Sequence, residues 1–172
     1  MNTVARFEHV SPHIFAEAWQ KAASSFSGPE PDPSRIPLPR RATAGSAGYD
    51  FFAPAAFTLS AGESILIPTG IRAIISEGWF LALFPRSGLG FRYRLQLDNT
   101  VGIIDSDYSH SDNEGHILIR LTCDSKDHKT LSVPAGAAVA QGIFLPYGIT
   151  SDDDATADRN GGFGSTDSRK VR

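Results

Sequence analysis

One cysteine, one methionine and no apolar run of membrane-spanning length mark this chain of 172 residues. The lone Cys123 has no partner within the chain, which excludes an intrachain disulfide framework and fits a reducing compartment. It lies inside an apolar strand pattern, so it reads as an inert core thiol rather than a nucleophile. No stretch approaches the roughly 20 apolar residues a membrane helix needs, and the first residues lack a signal-peptide hydrophobic region. The expectation is a cytoplasmic protein with no membrane partner. A basic surplus is also missing. With 16 Lys and Arg against 19 Asp and Glu, the net charge of -3 argues against a dedicated nucleic-acid binder. A small nucleotide, which needs only a few local cations, remains open. There is no Gly-x-x-x-x-Gly-Lys-Ser/Thr loop, which excludes a P-loop enzyme, and no internal repeat.

What is present is the composition of one globular domain, 41% hydrophobic and 20% charged. Residues 4–10 suit a short strand. Ser11 and Pro12 then have the chemistry of a helix start. A helix through Ile14, Phe15, Ala18, Trp19 and Ala22 places its apolar residues on one face. Five prolines between Ser27 and Pro39 read as an extended arm. From Ala47 to about Tyr147 short apolar segments recur with glycine and proline turns between them, and no helix is expected there. In His116–Thr122, Ile117, Ile119 and Leu121 alternate with Leu118, Arg120 and Thr122, the period of a half-buried strand. Many short strands at this spacing predict an all-β sandwich or small barrel. Beyond Pro146 the composition turns to aspartate, glycine and serine, as in a mobile tail. The division expected is 1–40 for the extension, 41–150 for the β domain and 151–172 for the C-terminal arm.

Five segments carry chemistry. They are Ala47-Gly48-Tyr49-Asp50, Pro85-Arg86-Ser87-Gly88-Leu89, Asn99 to Tyr108, Gly136 to Phe144 around Gln141, and Arg159 to Thr166. Singly, each has an ordinary reading: Arg-Ser-Gly is a turn, Gln141 a core amide bonded to backbone, the last segment a loose terminus. Together they supply a triphosphate site. Arg86, Ser87 and glycine-turn amides suit phosphate oxygens. Ser165, Thr166 and neighbouring glycine amides can close over a terminal phosphate, Arg159 adds charge, and Phe163 offers a face for a base. Asp50 and Asp105 provide hard oxygen ligands or a base for water.

In this order, from about Ile36 to Thr166, the five segments resemble the five motifs of the trimeric dUTP pyrophosphatases, the dUTPases. Arg-Ser-Gly-Leu-Gly, Asn-x-Val-Gly-Ile-Ile-Asp-Ser-Asp-Tyr and Gly-Gly-Phe-Gly-Ser-Thr are the most specific pieces. The resemblance implies a distorted jelly-roll subunit with a short N-terminal helix and a flexible C-terminal arm. It implies a homotrimer whose sites are shared between subunits, and dUTP hydrolysed to dUMP and pyrophosphate, which limits uracil in DNA and supplies dUMP for dTMP synthesis. Asp105 then activates the water that attacks the α-phosphorus. Mg²⁺ rides on the triphosphate, with Asp50 holding it through a water. Arg86, Ser87, Gly88 and Gln141 contact phosphates, and Arg159, Gly164, Ser165 and Thr166 do so from the arm. Asn99 with the backbone of Gly102 and Ile104 reads uracil, Tyr108 packs under deoxyribose, and Phe163 covers the base.

The chain departs from the family pattern in three places. Ser109–Gly115 is an insertion, whose His110, Asp112 and Glu114, with His116, read as a solvated loop rather than a metal cluster. The fourth motif, Gly136-Ala137-Ala138, lacks a charged pair common there. One residue, where two are common, separates Arg159 from Gly161. Two rival functions share this frame. A dCTP deaminase would need a catalytic glutamate and a different hairpin, and a regulatory binding protein would have no use for Asp105, Arg86, Gln141 and Phe163 together.

Overall fold

The computed structural model describes residues 2–157; Arg159, Phe163, Gly164, Ser165 and Thr166 lie outside them. In chain order the elements are β1 (Ala5–His9), α1 (Pro12–Ala22), β2 (Arg40–Arg41), β3 (Tyr49–Phe52), β4 (Phe57–Leu59), β5 (Ser64–Pro68) and β6 (Ile71–Ile75). They continue as β7 (Trp79–Pro85), α2 (Ser87–Tyr93), β8 (Leu95–Leu97), β9 (Gly102–Ile104), β10 (Leu118–Cys123), β11 (Leu131–Val133) and β12 (Ala138–Pro146). Every strand pairing is antiparallel. The main sheet runs β2-β3-β12-β7-β9, facing β5-β10-β8, with the pairs β1-β6 and β4-β11 completing the walls. This is the jelly-roll-like all-β subunit expected.

The core forms because strand periodicity puts apolar side chains on the inner faces. Ile117, Ile119 and Leu121 are fully buried while Arg120 between them is exposed. Each buried aliphatic of this size contributes about 1.5–3 kcal/mol. In the main sheet Gly142 of β12 lets neighbouring side chains close over it: a Cβ there would lie 2.7 Å from Leu81 and 3.0 Å from Phe51.

The N-terminal helix forms as the pattern predicts, with Ile14, Phe15, Ala18, Trp19 and Ala22 all buried. Ser11 is the N-cap, but its side chain does not cap: its Oγ bonds the His13 ring at 2.9 Å instead. The rings of Phe15, Trp19, Phe26 and Phe57 stack or meet in succession, with centroids 5.9, 4.9 and 5.9 Å apart, fastening the helix to the strands. The proline-rich arm packs against the domain. Pro33 and Ile36 are buried, Ser27 bridges Ala56, and the His9 ring bonds the Ile36 carbonyl at 2.9 Å.

Two further expectations are corrected. Ser87–Tyr93 is a helix inside the β region, where Gly88 and Gly90 had disguised it as a turn; it ends at Arg94 in the left-handed conformation. The Ser109–Gly115 insertion is only partly the solvated loop expected: His110 and Asp112 are exposed, but the rest packs on the domain. Ser109, Ser111 and Gly115 are buried, and Ser106–His110 is a 3₁₀ turn. Glu114 accepts the Ser11 amide at 2.8 Å, which holds its carboxyl below the usual range. His116 is 1% exposed and its Nε2 accepts the Gly70 amide at 2.9 Å. A nitrogen that accepts is unprotonated, so the neutral ring carries its proton on Nδ1.

Burial pushes the His116 imidazole down to about 4, against a small opposing pull from Glu114. The unfolded chain takes up this proton near pH 6.5, where the folded one refuses it. The stabilisation is therefore full above pH 6.5 and is lost as pH falls toward 4, by up to about 3 kcal/mol. His116→Gln keeps an acceptor for Gly70 without titrating. In urea unfolding from pH 7 to 5, the wild type should lose about 2 kcal/mol more than this variant. Parallel pH profiles would remove His116 as the cause.

Candidate active site

Three neighbouring strands gather the first group of residues. Gln141 on β12 pairs with Asp50 of β3 on one side and Phe84 of β7 on the other. Arg86, one residue past β7, reaches back so that its Nε lies 3.2 Å from Asp50 Oδ1. Gln141 Nε2 donates to the Pro85 carbonyl at 3.3 Å, so this amide is both backbone-bonded and part of the site. Gly48 makes room for it: a Cβ at that position would lie 2.6 Å from Gln141 Oε1. Ser87 and Gly88 follow in the first turn of α2, both exposed. The amides of a helix's first turn have no intrahelical acceptor and suit anionic oxygens. Asp50 thus stands beside the Arg86 guanidinium and opposite Gln141, with the Ser87 hydroxyl and the first N–H groups of α2 next along the chain.

The second group lies on the Asn99–Tyr108 segment. Asn99 is exposed in the turn between β8 and β9, which belong to different sheets, so this is a corner between sheets rather than a paired hairpin. The Val101 amide donates to the Asn99 carbonyl at 2.7 Å across Thr100, whose φ is +66°. That is a γ-turn centred on a β-branched residue, a strained conformation. Asp98 anchors it: its carboxylate pairs with Arg120 Nε at 2.9 Å and accepts the Thr122 hydroxyl, and its amide donates to the Arg120 carbonyl at 3.1 Å. β9 is the outer strand of the main sheet, so one of its edges has no strand neighbour there. Gly102 and Ile104, two apart, turn their backbone groups to the same side. Gly102 also lets β9 sit close on β7, where a Cβ would lie 3.0 Å from Leu83.

Asp105 follows β9 half-buried, and its carbonyl accepts the Tyr108 amide at 3.2 Å. Tyr108 is 5% exposed, donates its hydroxyl proton to the His116 carbonyl at 3.0 Å and accepts from Asn113 Nδ2 at 2.9 Å. Its hydroxyl is therefore committed to the protein, leaving the ring as what it can offer a ligand.

The two groups do not meet. Ile104 pairs with Leu81, four residues before Pro85 on β7. At about 3.3 Å per residue, Ile104 stands roughly 13 Å of strand from the Pro85–Arg86 corner, with Asp105 one residue further. Within this chain Asp50, Arg86, Ser87, Gly88 and Gln141 form one cluster, and Asp105 and Tyr108 lie toward the other end of β7. Sequence reasoning missed Asp98, Thr100, Asn113 and Arg40. Arg40 pairs with Asp50 in the ladder and lays its guanidinium over Phe52 at 5.5 Å. The Arg40-Arg41 doublet before the first motif was the available signal. Among the described residues no group of three or more His, Cys, Asp and Glu stands close enough to hold a metal ion.

The chain thus combines a jelly-roll-like β fold with a cationic cluster at the Pro85–Arg86 corner and a separate carboxylate after an outer strand. Comparison supplies the family. The dUTPase family model matches residues 34–167. Deoxyuridine 5'-triphosphate nucleotidohydrolase of Lactococcus lactis subsp. lactis is 38% identical over 134 residues, covering 76% of this chain and 88% of that protein. The dUTPase structure from Streptococcus mutans superposes with a TM-score of 0.63 at 32% identity, covering 84% of this chain and 98% of that one. A dUTPase variant from phage phi11 of S. aureus, whose structure coordinates a structural Mg(II) ion, has a TM-score of 0.61 at 18% identity, covering 91% of this chain and 98% of that one. That last likeness concerns the fold alone. The chain belongs to the dUTPase family.

The strain at Thr100 is measurable. Thr100→Gly removes the Cβ penalty of a positive φ and should raise stability by about 1 kcal/mol in urea unfolding. A loss of stability would show that the γ-turn is not strained.

Proposed function

We propose that this dUTPase-family enzyme hydrolyses dUTP to dUMP and pyrophosphate as a cytoplasmic homotrimer, each active site taking residues from more than one subunit. The observation that carries the reading is the separation along β7. A base must come within about 2.6–3.2 Å of the water it deprotonates, or act through one further water. The phosphate-type cluster and Asp105 of one chain are too far apart to frame one reaction centre. A second copy that brings its Asp105 to the Arg86 cluster of the first resolves this.

In that assembly Arg86, Ser87, the Gly88 amide and Gln141 bind the phosphates. Arg86 exchanges its ion pair with Asp50 for a phosphate oxygen, a small loss because the pair is partly exposed. The β9 edge at Gly102 and Ile104, with the Asn99 amide, offers the donors and acceptors that complement the acceptor–donor–acceptor edge of uracil. Cytosine would leave buried groups mispaired, which rejects an analogue by orders of magnitude. The Tyr108 ring packs beneath the deoxyribose. Asp105 takes the proton of the water as its oxygen bonds the α-phosphorus, and pyrophosphate leaves. From the C-terminal arm, Arg159, Gly164, Ser165 and Thr166 close on the terminal phosphate and Phe163 covers the base.

Mg²⁺ fits the donors present. Asp50 is a single half-buried carboxylate beside the phosphate cluster, and Mg²⁺ keeps most of its ligands as water and phosphate oxygens. Asp50 would hold it through a water, and the bound ion would neutralise charge on the triphosphate.

Asp105→Asn should lower the rate of pyrophosphate release from dUTP by at least about 100-fold while leaving nucleotide binding. Unchanged turnover removes Asp105 from its role, and release of ammonia from dCTP without pyrophosphate would identify a deaminase instead. Mixing tests the sharing of sites. Asp105→Asn and Arg86→Ala subunits, each inactive alone, should regain a substantial fraction of activity when refolded together. No recovery, with mixed oligomers present, would place each site within one chain.

A further inference from the structure

We propose that the Ser109–Gly115 insertion and the N-terminal helix form one clamp on Tyr108, in which Asn113 is the positioning residue for discrimination between deoxyribose and ribose. This rests on the reading of Tyr108 as the residue beneath the sugar. Both hydrogen bonds of the Tyr108 hydroxyl noted above go to the insertion or its exit: it donates to the His116 carbonyl and accepts from Asn113 Nδ2 at 2.9 Å. A phenol tied at two points cannot swing or tilt without breaking one of them.

Asn113 is itself held. Its Oδ1 accepts the Gly115 amide at 3.1 Å, and its carbonyl accepts the His116 amide at 3.0 Å. Glu114 at φ +57° and Gly115 at φ +73° turn the chain back so that this is possible. Gly115 then presses on the backbone next to the tyrosine: a Cβ there would lie 2.9 Å from the Tyr108 carbonyl oxygen and 2.7 Å from Ser109 Cα. The loop thus closes on Tyr108 from the side chain and from the main chain.

The far side of the loop is bound to the N-terminal extension. Glu114 Oε2 accepts the Ser11 amide at the start of α1, and the Phe15 and His116 rings lie 6.2 Å apart. The His116 ring also accepts the Gly70 amide, next to β6. Two segments outside the ordinary motif pattern therefore meet each other at Glu114 and His116, beside the loop that holds the residue proposed to test the sugar. A ribose differs from a deoxyribose by one oxygen atom, and a misplacement of about 1 Å in a site costs orders of magnitude. Holding the ring still is what makes that single atom decisive.

The test measures kcat/KM for dUTP and for UTP in the full-length enzyme. Asn113→Asp keeps the acceptor for Gly115 and removes the donor to Tyr108; Asn113→Ala removes both. Asn113→Asp should reduce the preference for dUTP over UTP about tenfold, with the assembly and circular dichroism of the wild type. A merely structural role would lower both activities together and leave their ratio unchanged. Tyr108→Ala separates the two levels of the argument. If it leaves the preference intact, Tyr108 does not test the sugar and the clamp falls with that reading. If Tyr108→Ala lowers the preference while both Asn113 variants keep it, the clamp alone is overturned.

Discussion

The site depends on the backbone ladder of β12. This strand pairs with β7 at seven positions and with β3 at four, and neighbouring strands in such a ladder stand about 4.8 Å apart. That spacing, rather than any side-chain contact, brings Asp50, Gln141 and the Pro85–Arg86 corner together from residues distant in sequence. The ladder tolerates no extra bulk here. Gly48 and Gly142 both stand where a Cβ would collide, with the Gln141 amide in one case and with Leu81 in the other. The same β7 that ends just before Arg86 pairs along its other side with β9, which leads to Asp105. One strand thus sets the distance between the two chemical groups.

How much of this was legible depended on length and on range. β10 and β12 were readable because they are long enough to express a burial pattern, and the five motifs because each is local in sequence. The three-residue strands β4, β8 and β11 are too short to show a period. α2 was hidden because Gly88 and Gly90 disfavour a helix that its neighbours nonetheless complete. Proline spacing predicts an extended path from Ser27 to Pro39 but cannot say that Pro33 and Ile36 would be buried along it. The insertion was only partly legible for a different reason. Its polar residues look solvated in sequence, yet Glu114 finds its partner at Ser11, 103 residues away. Polar residues that satisfy a distant backbone are not distinguishable by composition from those that satisfy water.

Strain and bracing occur together at the Asn99 turn. A threonine at φ +66° persists only where its surroundings over-determine it. The supports are visible: Asp98 is tied to Arg120 and Thr122 of β10, and Ser64 of β5 bonds Thr122 in turn at 2.6 Å. The turn that presents Asn99 is therefore pinned to the opposite sheet, while the strand it feeds, β9, belongs to the main sheet. A side chain at such a corner is located by both layers of the fold. That is the placement the proposed role of Asn99 in hydrogen bonding to the base requires.

An open sheet edge is ordinarily a liability, because its unpaired N–H and C=O groups invite another strand. In β9 the same groups are the proposed reader of the base, so the edge must stay open to a ligand and closed to other chains. Length decides between these outcomes. The strand is only three residues long, entered from a γ-turn and left through a 3₁₀ turn, both of which bend the backbone out of strand geometry. Three residues match the edge of one pyrimidine and offer a competing strand only a short ladder. Ile103, 52% exposed in the single chain, and Phe91, 91% exposed, are apolar surface that a second copy would cover in the proposed assembly. An interface built there would enclose the reading edge and bring the partner's phosphate-type cluster toward it, so burial of this surface and completion of the site would be one event.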